Sequence, residues 1–149
     1  MSINDNVFGD NSGHWDVSVS VSPGTVSQLQ LPGDVEWVDS GIMLAAGESV
    51  TFSATGQIYI GNVSAGQPNI SNEQTPAGDP NTTTAAQSGG GPFAAPGLVP
   101  WSLVGKIGSA GTAFEIGTGT TITVNSTDRR PSDRRSARRD RRRTQLDSI

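Results

Sequence analysis

Cysteine is absent from the 149-residue chain, which excludes both a disulfide framework and thiolate zinc sites. Histidine occurs once, at His14, too little for a zinc cluster or a hydrolytic triad. Beside Trp15 at the start of a strand, His14 reads as a surface side chain rather than a general base. Positive charge is almost missing from most of the chain. Residues 1–127 hold one base, Lys106, against ten acids, whereas residues 128–149 hold nine Arg against four Asp. The first part therefore carries −9 and the tail +5, which sum to the −4 of the whole chain. So acidic a body repels nucleic acid and attracts cations. No stretch approaches the ~18 apolar residues of a membrane span. The opening MSINDNVFGD has neither a positive n-region nor an apolar h-region, so no signal peptide is expected within it. A Gly-x-Ser-x-Gly elbow, a P-loop and a zinc-type His pair are all missing, and the expectation is a binding protein rather than an enzyme.

Helix formers are sparse too, while 19 Gly and 9 Pro punctuate the chain. Strand signals recur between them as short alternating or β-branched runs. From Trp15 to Val21 the alternation is strict, with Trp15, Val17, Val19 and Val21 on one face, the pattern of a strand that buries one side. Further strands are expected at Val35 to Trp37, Ile42 to Leu44, Ser49 to Ala54 and Gln57 to Ile60. Three more are expected at Leu103 to Ile107, Ala113 to Ile116 and Thr121 to Val124. Short strands at this spacing predict an all-β fold, a sandwich or jelly roll. Ser22 to Gly33, with Pro and Gly at both ends, reads as a linker between a first strand and the main body, residues 34–127.

Two segments resist the strand reading. Gly61 to Pro100 is long, Asn/Thr/Pro/Gly-rich and poor in aliphatics; it is either a functional loop or a surface insertion. Its sequons at Asn62, Asn69 and Asn81, and the one at Asn125, are the number that chance supplies in so Asn/Ser/Thr-rich a chain. From Asp128 onward Asp-Arg-Arg recurs three times, and Ala137, Leu146 and Ile149 are the only apolar residues. Such a tail cannot bury enough surface to offset its ordering entropy. The alternatives are an arginine-rich arm for nucleic acid or anionic glycans and an extension without selected structure, and the abrupt break after Thr127 favours the second.

The densest polar grouping is Asn4-Asp5-Asn6-Val7-Phe8-Gly9-Asp10-Asn11-Ser12-Gly13. Carboxylates, amides and free carbonyls are the oxygen donors calcium takes, six to eight of them at ~2.3–2.6 Å. The spacing does not fit an EF-hand. The same residues also make ordinary tight turns, and composition alone does not choose between the two. Trp15, Trp37 and Trp101 could stack on sugar rings, but each lies in an apolar context that suits core packing.

Several runs together are similar to one family. Trp37-Val38-Asp39-Ser40-Gly41-Ile42, Ala46 to Gly56, Thr75-Pro76-Ala77-Gly78-Asp79, Leu103 to Gly108 and Phe114-Glu115-Ile116-Gly117 resemble, in order, segments of bacterial galactose-binding lectin domains of the LecA (PA-IL) type. Asn4 to Gly13 with Trp15 to Val19 resembles the last motif and final strand of that family, here placed first. The arrangement is that of a circular permutant or of a window cut across tandem copies. The resemblance implies a jelly-roll-like β-sandwich that binds carbohydrate through one calcium ion, outside the cell or at its surface, with a homo-oligomer or tandem copies possible. It implies Asp5, Asp10 and Asn11 as metal ligands, with main-chain carbonyls near Val7 and at Tyr59 or Ile60. Sugar contacts are implied at Asp5 and Asp10 and, in the loop Pro80 to Gln87, at Thr82 and Gln87. That loop lacks the family's His, which puts galactose itself in question. The alternative is a structural or adhesive β-domain of a larger extracellular protein without sugar affinity.

Overall fold

The structure, a computed structural model, describes residues 1–61, 72–83 and 91–125. The Arg-rich tail, Gln87 and the sequons at Asn62 and Asn69 lie outside these residues. Every regular element described is a strand: β1 (Ser2–Ile3), β2 (Ser12–Ser22), β3 (Thr25–Pro32), β4 (Ser49–Tyr59), β5 (Glu73–Gln74), β6 (Leu103–Gly105), β7 (Phe114–Glu115) and β8 (Gly119–Thr123). No helix among the described residues is long and apolar enough to cross a membrane.

The alternation in β2 becomes the middle of the larger sheet. That sheet runs β3-β2-β4-β5, and β8 pairs with β4 along the edge that β5 also uses. All pairs are antiparallel, with Val17 opposite Leu29 of β3 and Ala54 of β4. Trp15, Val17, Val19 and Val21 are buried, while His14 and Asp16 point to solvent. Burying each valine stabilises the fold by ~1.5–3 kcal/mol. The smaller sheet, β1-β6-β7, is antiparallel as well. Ile3 and Leu103 from it join Trp15, Val19, Val50, Phe52 and Ile58 from the larger sheet in one core. Val17 and Val19 thus pack in the same body as Phe52, with Ile107 laid against it. The first long strand finds its acceptor sheet within its own chain.

Several sequence expectations are corrected. Ser22 to Gly33 is not a linker but the turn and second arm of a hairpin, with Val21 opposite Thr25. In β3, Leu29 and Leu31 turn toward the core, a short alternation that the flanking Pro23, Gly24, Pro32 and Gly33 disguise. The runs Ser49 to Ala54 and Gln57 to Ile60 are one strand, β4. Gly56, at φ +102°, keeps register opposite Trp15, and its missing side chain leaves room for the backbone of β2 at His14 and Trp15. Conversely, Val35 to Trp37 and Ile42 to Leu44 form no ladder. Val38, Ile42 and Leu44 still cover the core, and Val38 exchanges main-chain hydrogen bonds with Met1, but the residues after it bond locally. Asp39 Oδ1 accepts from Gly41 N at 2.9 Å and Ser40 Oγ from Ile42 N at 3.3 Å, so side-chain turns replace strand pairing. Leu103 to Ile107 and Ala113 to Ile116 shorten to β6 and β7.

The sheet's two faces should answer differently to substitution. Trp15→Ala is expected to lower unfolding free energy by roughly 3–5 kcal/mol, whereas Ser18→Ala on the opposite face should change it by less than about 0.5 kcal/mol. Urea denaturation followed by circular dichroism measures both, and comparable losses would contradict the assigned facing of β2.

Candidate functional site

Residues 4–11 carry the chain from the small sheet, where β1 ends, to the large one, where β2 begins. A crossover with buried ends, at Asn4, Asp5 and Asn11, leaves main-chain groups there that require partners. Asn4, fully buried, provides for much of this. Its main chain continues the β1 pairing, donating to Ser102 O at 2.8 Å and accepting from Trp101 N at 2.6 Å. Its side chain donates to Ala95 O at 3.0 Å and Val99 O at 2.9 Å and accepts from Ala95 N at 2.8 Å. One amide thus fastens the 95–99 turn over the crossover.

Asp5 follows, 2 % exposed. Its Oδ1 accepts from Asn6 N at 2.7 Å, Val7 N at 3.4 Å and the Trp101 indole Nε1 at 3.1 Å, and its Oδ2 from Asn11 Nδ2 at 2.8 Å. Burial raises the Asp5 carboxyl above the ordinary carboxylate range, and the hydrogen bonds from Asn11, Asn6, Val7 and Trp101 offset this only in part. Among the described residues no basic side chain forms an ion pair with it. Trp101 reaches Asp5 from a left-handed backbone, φ 57°, and rests edge-on against Phe93 at 6.1 Å. Left-handed geometry in so bulky a residue is strained and persists only where its surroundings fix it; here the two hydrogen bonds to Asn4 and Asp5 do so.

Asn11 closes the turn, with its N donating to Phe8 O at 3.1 Å. Its Nδ2 bridges Asp5 Oδ2 and Gly33 O, both at 2.8 Å. The amide cannot be flipped, because Oδ1 would then face two acceptors. Oδ1 is consequently held on the other side, buried and without a hydrogen-bond partner. A buried acceptor left without a donor costs about 1–3 kcal/mol. Asp10 remains exposed, and its carboxylate lies directly against Gly61, the residue after Ile60, where φ is +71° and any side chain would strike it.

The structure therefore joins Asp5 to Asn11 by a hydrogen bond and sets Asp10 against Gly61, just past the end of β4, where Ser12 pairs with Tyr59. Val7 lies on the same turn and is exposed. Thr82 is differently placed. Its hydroxyl donates to Asp79 Oδ2 at 3.1 Å, inside a turn in which Asp79 Oδ1 also accepts from Asn81 N at 2.9 Å. That turn is joined to the cluster through Asp79 N, which donates to Pro100 O at 3.0 Å, one residue before Trp101. Gln87 lies outside the described residues. His14 Nε2 lies 3.0 Å from Gln30 Nε2 and 3.8 Å from Asp16 on the outer face, in keeping with a surface side chain. Trp15 and Trp101 are core residues, whereas Trp37 is half-buried under Lys106. Neither Asn4 nor Trp101 stands among the site residues expected from the sequence. Trp101 lies 96 residues from Asp5, and nothing local to either marks the contact.

As a donor set the cluster is all oxygen. Two carboxylates, one amide oxygen lacking a donor and nearby main-chain carbonyls suit calcium, and no sulfur or imidazole is present for zinc. Among the described residues no group of three or more His, Cys, Asp or Glu side chains is placed to hold a metal, so carbonyl and amide oxygens would have to supply the rest of any shell. Comparison with protein families, with curated proteins and with solved structures finds no match for the chain.

The raised Asp5 carboxyl has a definite sign in stability. The folded state holds this proton to higher pH than the unfolded state, so ionising Asp5 destabilises the fold. Its contribution is fully present below the unfolded value of about 3.9 and is lost as pH rises through the raised folded value. Without divalent metal, stability should fall across that window, and Asp5→Asn should flatten the fall. Denaturant midpoints measured against pH in chelator check this; an identical slope in the variant would show that Asp5 is not its source.

Proposed function

We propose that the chain is a calcium-dependent carbohydrate-binding module, with the cation held by Asp5, Asp10, Asn11 and main-chain carbonyls near Val7 and Tyr59–Ile60. The observation that carries this reading is the buried Asn11 Oδ1, unpartnered on a side chain whose Nδ2 donates to a buried carboxylate that has no basic partner. A cation would satisfy the first and offset the burial of the second. Bound calcium would offer open coordination positions to vicinal sugar hydroxyls. Asp10, exposed at the rim, would accept a hydrogen bond from one of them. Binding of this kind needs no acid, base or nucleophile. The resemblance to LecA-type lectins supports the same reading, and it implies an extracellular or cell-surface setting, where calcium modules work at about 10⁻⁴–10⁻³ M affinity.

A second reading has its own observation. Both oxygens of Asp5 already accept hydrogen bonds from groups that fix the crossover, and Thr82 is engaged by Asp79. The cluster would then be a polar staple in a structural or adhesive β-domain without sugar affinity.

Calcium separates the two. An ion that binds only the folded state stabilises it by mass action, by about 2.7 kcal/mol at a hundredfold excess over Kd. Millimolar calcium should raise the thermal midpoint of the wild type, and Asp5→Ala and the milder Asp10→Asn should reduce or abolish that rise. A glycan array probed in calcium should show binding that chelator removes. A midpoint indifferent to calcium and chelator alike, with a silent array, would leave the staple reading standing.

A further inference from the structure

We propose a second ligand site, away from the Asp5 cluster, that takes a small amphipathic monoanion of the carboxylate class. A cavity of about 480 Å³ lies between the two sheets under the 37–44 loop, within the roughly 300–1,000 Å³ of small-molecule sites. Its walls are Val19, Val50 and Phe52 of the large sheet, Phe114 of the small one, and Ile107 and Leu44. The polar side chains of the loop are engaged with its own backbone, Asp39 with Gly41 N and Ser40 with Ile42 N. The six wall side chains are all apolar. The interior therefore selects an apolar body.

Charge selects the other end. Lys106 is the single Lys or Arg of residues 1–127, and it stands at this cavity. Its Nζ lies 4.0 Å above the centroid of the Trp37 ring, within the range of cation–π attraction. It makes no ion pair with any described carboxylate, so its three donors are not committed to an acid. Asp39 and the Met1 amino group share the same surroundings; the amino group donates to Val38 O at 2.8 Å. At this apolar mouth two cations, Lys106 and the Met1 amino group, stand with one carboxylate, Asp39, and Lys106, without an ion pair, matches one carboxylate of a ligand, with Trp37 flanking it.

The site does not depend on the calcium reading, and its test is run in chelator so that the two fail separately. Octanoate, 1-octanol and octylammonium are titrated into the full chain by calorimetry. Octanoate should bind at least about tenfold more tightly than octanol, the scale of one charge-assisted hydrogen bond, and octylammonium should give no saturable heat. Lys106→Gln should bring octanoate down to the level of octanol, while Lys106→Arg keeps the preference, with cooperative thermal unfolding verifying that each variant folds. Equal affinity for octanoate and octanol, an unchanged octanoate affinity in Lys106→Gln, or no binding of any probe at millimolar concentration would overturn the proposal.

Discussion

The fold depends on β2 lying between β3 and β4, paired on both edges over most of its length. Its inward residues, Trp15 through Val21, meet Val50, Phe52 and Ala54 of β4 on one side and Leu29 and Leu31 of β3 on the other. A one-residue slip would turn all four inward side chains to water, so burial fixes the register as firmly as hydrogen bonding does. Trp15 adds a tie at the end of the strand nearest the cluster, donating its indole N–H to Gln74 O at 3.1 Å. That bond anchors β5, the only described strand within the long Asn/Thr/Pro/Gly-rich segment.

The position of β2 dictates what precedes it. β1 belongs to the other sheet, so residues 4–11 must cross the body, and the crossover is polar because buried main-chain groups need partners. Asn4 and Asn11 act at its two ends, and the Asp5 carboxylate gathers four donors between them. The crossover is thereby joined to the 95–102 segment and to Gly33. Gly33 has no room for a side chain against Ile58, which keeps its carbonyl close to Asn11. The polar cluster and the apolar core are consequently one construction. Any ion or ligand at Asp5 acts on residues that also hold the two sheets together.

Electrostatics divides the molecule differently. An excess of carboxylates across the body favours cations at the oxygen-rich rim of β4, while the one lysine stands on the other side of the core facing apolar walls. The two proposed sites, chemically opposite, would each follow from that distribution.

The sequence by itself determined the all-β class, the inward face of β2, the alternation of β4 on either side of Gly56, and the Asp/Asn turn before the first long strand. These are legible because strand burial repeats every second residue and turn chemistry is local, so a short window contains the whole signal. It did not reveal β3, whose leucines are hidden by flanking Pro and Gly, nor that Val35 to Leu44 forms no ladder, Val38 pairing with Met1 while side-chain turns take the donors of Gly41 and Ile42. Tertiary structure alone decided which side chains meet: Asn4 with Ala95 and Val99, Trp101 with Asp5, Asp10 with Gly61 and Lys106 with Trp37. Such pairs are separated by some fifty to nearly a hundred residues. They exist because the pairing of β2 with β4 and of β1 with β6 closes long loops, and the entropy of that closure grows only slowly with loop length. No short window of sequence carries that information.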